Sequence, residues 1–311
     1  MVKAARLHEH GGPLRVEDVE LPEPQDGEVR VELAFAGVNP VDSYAAQGRV
    51  AGDGPLPRTL GGEASGHVDG RRVLVTGAGL GSTRNGVWAS AANVPVTAVV
   101  PVPDGVGLRE AAAMGVAGLT AWDTLHRAGV QPGDRVLVLG ASGGVGLPTV
   151  SLAVAMGATV WGQTGSHGKS EAVRRQGAHH VVVADASGLA GAVGEWAPTV
   201  VIDGLGGGFT AAALPVMSPH GRLVLFGTSA GSTSTLELRT LYRNGLQVLG
   251  YAGLRLSDDE RRAGLREALA ALADGRMRIP VDRTLTLEQV NEAFQLLSDR
   301  AVTGKIVLDL S

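Results

Sequence analysis

Cysteine is absent from the chain. That count excludes disulfides, thiolate nucleophiles, CxxC redox pairs and every zinc site that needs sulfur. Long apolar runs are absent too: none reaches the ~18 residues of a membrane span, and the opening MVKAARLHEHGG has no secretory apolar core. The expectation is a cytoplasmic protein with no membrane partner. Basic charge is not in excess, with Lys+Arg 27 against Asp+Glu 31 and a formal net charge of -4. Bulk charge therefore argues against nucleic acid and anionic membranes as partners. Lysine is scarce, limited to Lys3, Lys169 and Lys305. No internal repeat or low-complexity linker interrupts the sequence.

What is present suits a packed protein of about two domains: 311 residues, 44% hydrophobic and 19% charged. The 46 glycines are clustered, which points to turns and close backbone approaches. The first hundred residues read as short strands (30–35, 72–76 and 96–102) separated by Gly- and Pro-rich loops such as 48–62, with no helix longer than about two turns. From residue 108 the pattern changes. Helices are expected over 109–115 and 119–128. Strands at 135–140, 159–163, 180–183, 199–203 and 222–227 then alternate with helices at 144–156, 169–176, 189–196 and 209–217. Regular alternation of this kind implies a doubly wound parallel sheet, an α/β fold. Residues 247–252 read as an edge strand. Ser257 with Glu260, and Thr286 with Gln289, form capping boxes ahead of two helices. One helix carries Leu265, Leu269 and Leu272 on a single face; the other buries Val290, Ala293, Phe294 and Leu297. A final strand at 304–308 suggests that the chain returns to complete its first domain.

Residues 135–146 (RVLVLGASGGVG) run from apolar strand through glycine turn to helix. Such a turn sets free backbone N–H groups and a helix N-terminus against a pyrophosphate. Ala141 stands where G-x-G-x-x-G has its first glycine, followed by Gly143, with Gly144 beside it, and Gly146. A site selective for NAD places an acid about 20 residues on, but residues 135–170 hold neither Asp nor Glu. Ser166 and Lys169 instead suit a 2′-phosphate, so the expected cofactor is NADPH. A solvated first-turn lysine is the plainer reading of Lys169. His179 and His180 are strand neighbours pointing to opposite faces, so they cannot clamp one ion. Asp203 ends a strand and could hold a ribose or cap the next turn.

With these motifs in place, the sequence resembles the zinc-independent medium-chain dehydrogenases/reductases, in the quinone oxidoreductase branch related to zeta-crystallin. The likeness rests on residues 36–44 (AGVNPVDSY), 61–66 (GGEASG), 115–122 (GVAGLTAW), 130–135 (VQPGDR), 141–146, 203–207 (DGLGG), 221–227 (GRLVLFG) and 304–308 (GKIVL). It implies a GroES-like β-rich catalytic domain over 1–116, completed by 276–311, and a Rossmann NADPH-binding domain over 117–275, with a cleft between them. It implies hydride transfer to a small-molecule quinone or enone, and homodimers paired through the last Rossmann strand.

By position, the resemblance places Asn39 and Tyr44 at the nicotinamide and substrate, as the catalytic candidates. Thr120 and Trp122 fall near the nicotinamide end, and Gly143, Gly144 and Val145 at the pyrophosphate. Gly165, Ser166 and Lys169 fall at the 2′-phosphate, Phe226, Gly227 and Thr228 along the nicotinamide, and Lys305 in the cleft. Zinc relatives carry a His-Glu pair where this chain has Gly62-Glu63, and one carboxylate with the nearby His67 is too few ligands for catalytic zinc. No metal is expected, and Glu63 reads as a structural acid pairing with an arginine or a backbone N–H. Without a metal, the Asn39 amide, the Tyr44 hydroxyl and backbone N–H groups near Gly227 are the donors left to stabilise charge on a substrate oxygen.

The segment between Gly66 and Arg71 is shorter than in the family. No tyrosine stands near residues 183–185, and residues 76–92 lack the usual Gly-Tyr-Ala-Glu-Tyr run, with Trp88 near that place. These departures bear on the substrate. The alternatives are a metal-free carbonyl or alcohol oxidoreductase, a specialised biosynthetic enoyl reductase, and a catalytically silent NADPH-binding protein.

Overall fold

The computed structural model describes residues 1–50 and 54–311; residues 51–53 of the expected 48–62 loop lie outside the described residues. The chain divides into two compact units. The first comprises Met1–Leu119, Leu254–Ala273 and Ile279–Ser311, and the second Thr120–Gly253 and Asp274–Arg278.

The first unit is built around the strand Glu28–Val38, eleven residues long. Its first half pairs antiparallel with Ala91–Pro95. Further along, it pairs with Glu63–Val68 on one side and with the last strand, Lys305–Asp309, on the other. The register shifts between Leu33 and Phe35, and the Ala34 carbonyl accepts the Leu310 N–H at 3.0 Å. Such a bulge bends a strand and exposes one extra backbone group; here the chain's end takes that group up. Gly66 sits opposite the bulge, where a Cβ would lie 1.9 Å from the Glu32 oxygen. Trp88 is fully buried beneath this sheet. Its ring packs on Phe294 at 5.5 Å, and its Nε1 donates to the Gly37 carbonyl at 3.2 Å.

Two expectations about this region are corrected. Residues 96–102 do not form one strand: Val96–Ala98 is a 3-10 turn and only Val99–Pro101 is extended. The turn carries the chain from its pairing with Glu28–Val38 to a new pairing with Arg71–Thr76. The helix Asp258–Ala273 falls in the first unit, whereas the sequence assigns it to the second. It is capped by Ser257 and Glu260 as expected, and its buried face of Leu265, Ala268, Leu269 and Ala271 packs by the Val99–Pro101 strand. An amphipathic pattern shows that a face is buried without saying against what.

The second unit is a six-stranded sheet, parallel throughout. Numbered along the chain from Arg135–Leu139, its strands lie in the order 3-2-1-4-5-6, the doubly wound Rossmann order with its switch point between strands one and four. Close packing sets its glycines. A Cβ on Gly146 would stand 2.3 Å from the Gly140 oxygen, and one on Gly162 2.5 Å from Val173 Cγ1, so the helices can lie directly on the strands. The helix expected over 189–196 stops at Val193, where Gly194 takes a positive φ of 56° and a 3-10 turn follows. The sixth strand, Gln247–Gly250, is an edge as expected, parallel to Arg222–Leu225.

Candidate nucleotide turn and active site

In the second unit the turn after Arg135–Leu139 is held by Gln163 of the neighbouring strand. Gln163 Oε1 accepts the Gly140 N–H at 2.9 Å, its backbone oxygen accepts the Ala141 N–H at 2.8 Å, and its Nε2 donates to the Ala184 carbonyl at 2.6 Å. One buried amide thus fixes the ends of three adjacent strands. Gly140 has φ +68°, a backbone that favours glycine, and Gly143 N–H donates back to its oxygen at 3.0 Å. Gly144 and Val145 are half-buried ahead of the helix Gly146–Ala155. Among the described residues their N–H groups have no partner. Two free amides at a helix N-terminus fit a phosphate.

The second strand, Thr159–Thr164, ends beside this turn, with Ser142 Oγ 3.1 Å from Thr164 Oγ1. Gly165 and Ser166 are exposed, and Lys169 is half-buried at the end of the 3-10 turn His167–Lys169. That segment presents hydroxyl and ammonium groups and no acid, a set that fits a phosphorylated ribose. Asp203 caps the next turn: its Oδ1 accepts the Leu205 and Gly206 N–H groups, and its Oδ2 accepts Thr210 Oγ1 at 2.6 Å. Phe226 lies over Gly204, where a Cβ would be 2.5 Å from its ring. Gly227 is half-buried and Thr228 exposed. Thr120 is buried, its carbonyl accepting Thr124 Oγ1 at 2.7 Å, and Trp122 stacks on His126 at 4.0 Å.

The first unit holds a buried polar cluster that the sequence shows only in pieces. Asn39, Asp42, Glu63 and Lys305 are each at most 5% exposed. Lys305 Nζ donates to Glu63 Oε1 at 2.8 Å, Asn39 Oδ1 at 2.6 Å and the Val38 carbonyl at 3.1 Å. Glu63 Oε1 also accepts from Asn39 Nδ2 at 2.6 Å, and Oε2 accepts the Val116 N–H at 2.7 Å. Space for Glu63 comes from two glycines. A Cβ on Gly37 would be 2.1 Å from its Oε1, and one on Gly115 2.8 Å from its Oε2. Tyr44 is half-buried one turn along the helix Pro40–Ala46, with the Arg49 guanidinium 5.0 Å over its ring.

Two readings change here. Lys305, expected at the cofactor, is buried with all three ammonium protons taken by its own unit. Glu63, expected to meet an arginine or a backbone N–H, meets a lysine as well as the Val116 N–H. Asp42 was missed, although an acid three residues after an N-cap Asn was the available signal. Its Oδ2 accepts the Asn39 N–H at 2.8 Å and its Oδ1 the Gly62 N–H at 3.1 Å. Burial pushes the Asp42 carboxyl up to about 7, helped by the nearby Glu63 charge and opposed by those two N–H groups and Lys305. Among the described residues no group of three or more His, Asp or Glu side chains is placed to hold a metal ion, and Glu63 accepts hydrogen bonds from Lys305, Asn39 and Val116.

Bovine quinone oxidoreductase-like protein 2 is 32% identical over 99% of this chain and 92% of its own. The chain belongs to the quinone oxidoreductase family of medium-chain dehydrogenases/reductases. The quinone oxidoreductase of Thermus thermophilus, solved also in complex with NADPH, superimposes with a TM-score of 0.85 at 32% identity, covering 99% of this chain and 100% of that one. Residues 176–308 match the zinc-binding dehydrogenase family, a segment that contains neither Gly62 nor Glu63. A phenolphthiocerol/phthiocerol polyketide synthase polypeptide of Mycobacterium tuberculosis is 32% identical over 96% of this chain, which spans only 14% of that protein. Among the described residues no helix is long and apolar enough to cross a membrane.

The Asp42 carboxyl, raised from 3.8 to about 7, gives a signed prediction. Between these values the unfolded chain has released the proton and the folded chain retains it, so stability falls as pH rises through that window and levels off above it. Urea denaturation of the wild type and Asp42→Asn from pH 4 to 8 should show the wild type losing ground to the variant up to about pH 7 and holding level beyond. A difference that stays flat or grows with pH contradicts the assignment.

Proposed function

We propose that this chain is an NADPH-dependent oxidoreductase that reduces a quinone or an α,β-unsaturated carbonyl without a metal. The observation that carries the reading is the turn with two partnerless amides, Gly144 and Val145, beside a strand end that offers Ser166 and Lys169 and no acid. The NADPH complex of the Thermus relative supports the same cofactor.

Bound NADPH supplies the hydride from C4 of its nicotinamide. The free amides of Gly144 and Val145 would hold the pyrophosphate, with Gly143 lying against it, and Gly165, Ser166 and Lys169 would hold the 2′-phosphate. Thr120, Trp122, Phe226, Gly227 and Thr228 line the nicotinamide end. Asn39 and Tyr44 donate hydrogen bonds to the acceptor oxygen as negative charge develops there; one such donor is typically worth about 10²–10³ in rate. The likeness to one stretch of a polyketide synthase favours a second reading, a biosynthetic enoyl reductase, whose acceptor is a C=C bond conjugated to a thioester carbonyl.

Fluorescence titration should give tighter binding of NADPH than of NADH. Lys169→Ala should weaken NADPH roughly tenfold, the loss of one charge-assisted contact, and leave NADH nearly unchanged. Turnover with the tighter cofactor should appear with a quinone or an enone before a simple ketone. A preference for NADH, or turnover with the ketone alone, overturns the reading.

We also propose a homodimer formed through the edge strand Gln247–Gly250. Val248 on that strand is 38% exposed, and Leu238 and Tyr242 on the helix Leu238–Arg243 are each 69% exposed. An open, apolar sheet edge is a template for pairing with another chain. Light scattering should report twice the chain mass, falling to the monomer value in Val248→Arg; a monomeric wild type rules the dimer out.

A further inference from the structure

The Asn39 carboxamide has one possible orientation. Lys305 is a donor only, so the Asn39 atom 2.6 Å from its Nζ must be the oxygen. The nitrogen then faces Glu63 Oε1, also at 2.6 Å, where a carboxylate accepts. This uses one of the two Nδ2 protons. The other has no acceptor among the described residues, although Asn39 is only 4% exposed. A buried donor left unpaired costs about 1–3 kcal/mol, and folded proteins keep one chiefly where something outside the chain accepts it.

Of the residues that set this orientation, Lys305 has no proton to spare and Glu63 accepts three hydrogen bonds. Lys305 places its three protons on Val38, Asn39 and Glu63. Glu63 accepts from Asn39, Lys305 and Val116. A buried lysine–glutamate pair adds little stability over a well-packed apolar pair, because desolvation offsets most of the attraction. Stability alone therefore gives weak reason for these two charges. Direction gives a better one: an ammonium facing the carboxamide oxygen and a carboxylate facing its nitrogen, 2.8 Å from each other, forbid the flipped amide, which an apolar pair cannot do.

We propose that Glu63 and Lys305 are positioning residues, holding the Asn39 carboxamide so that its remaining N–H is kept for a carbonyl oxygen of the bound acceptor. This deepens the functional reading above and rests on it for the identity of that oxygen.

The test uses Asn39→Ala, the double variant Glu63→Gln/Lys305→Met and the triple combination in the full-length protein. The double variant removes both charges together and leaves no lone buried ion. With selective ¹⁵N-asparagine labelling, the wild type should show two slowly exchanging Asn39 carboxamide proton signals shifted from those of a solvated asparagine, and in the double variant both the shift and the protection from exchange should be lost. NADPH affinity should be unchanged while kcat falls roughly 10- to 100-fold, the scale of a misplaced group. Asn39→Ala should cost the wild type a similar factor and add almost nothing in the double variant, as coupled residues do. Should the double variant not fold, Lys305→Arg is read by the same spectra. Unchanged Asn39 signals, or an Asn39→Ala cost equal in both backgrounds, overturns the proposal. A wild type that turns over no acceptor instead defeats the functional reading, and the carboxamide spectra then decide the orientation alone.

Discussion

An ammonium group buried to 3% exposure sets the terms for the first unit. Removing such an ion from water costs several kcal/mol, and only a close counter-charge with every proton placed makes it tolerable. Lys305 meets both conditions by gathering distant parts of the chain. The end of the long central strand gives the Val38 carbonyl, the start of the first helix gives Asn39, and the Glu63–Val68 strand gives its leading carboxylate. Glu63 in turn reaches the Val116 N–H. Glycines at 37 and 115 clear the volume that the carboxylate occupies. The last strand is thus tied to the middle of its unit by charge as well as by its ladder with Glu28–Val38.

The second unit is organised differently. Its candidate functional edge is made of backbone: a glycine-rich turn, the unpaired amides of Gly144 and Val145, and close helix–strand contact that Gly146 and Gly162 permit. Side chains there serve mainly to fix that backbone. Gln163 spans three strand ends, and Asp203 satisfies the turn after the fourth strand. A dinucleotide offers phosphate oxygens that backbone N–H groups match well, so such an edge needs few chemically distinctive residues.

This contrast explains what the sequence discloses. The Rossmann sheet is legible because each strand and its following helix is a local pattern: RVLVL before a glycine turn carries its own meaning within a dozen residues. Both later capping boxes are equally local, and both form. The misread segments depend on long-range partners. Residues 96–98 turn because the chain must change from one strand neighbour to another, and the helix Asp258–Ala273 shows an apolar face without showing what covers it. Glu63 and Lys305 are 242 positions apart, so no spacing rule joins them. The family likeness brought Lys305 to attention but gave it a cofactor contact, since position along a motif does not show where an ammonium's protons go.

The central claim is that the chain holds NADPH and delivers its hydride to a polarised acceptor. It is tested most directly by isotope transfer: incubate the protein with NADPH carrying two deuteriums at nicotinamide C4 and an enone, and analyse the product by mass spectrometry and NMR. The account predicts one deuterium on the carbon β to the carbonyl and a slowed rate relative to unlabelled cofactor. Reduced product with no deuterium at that carbon would contradict it.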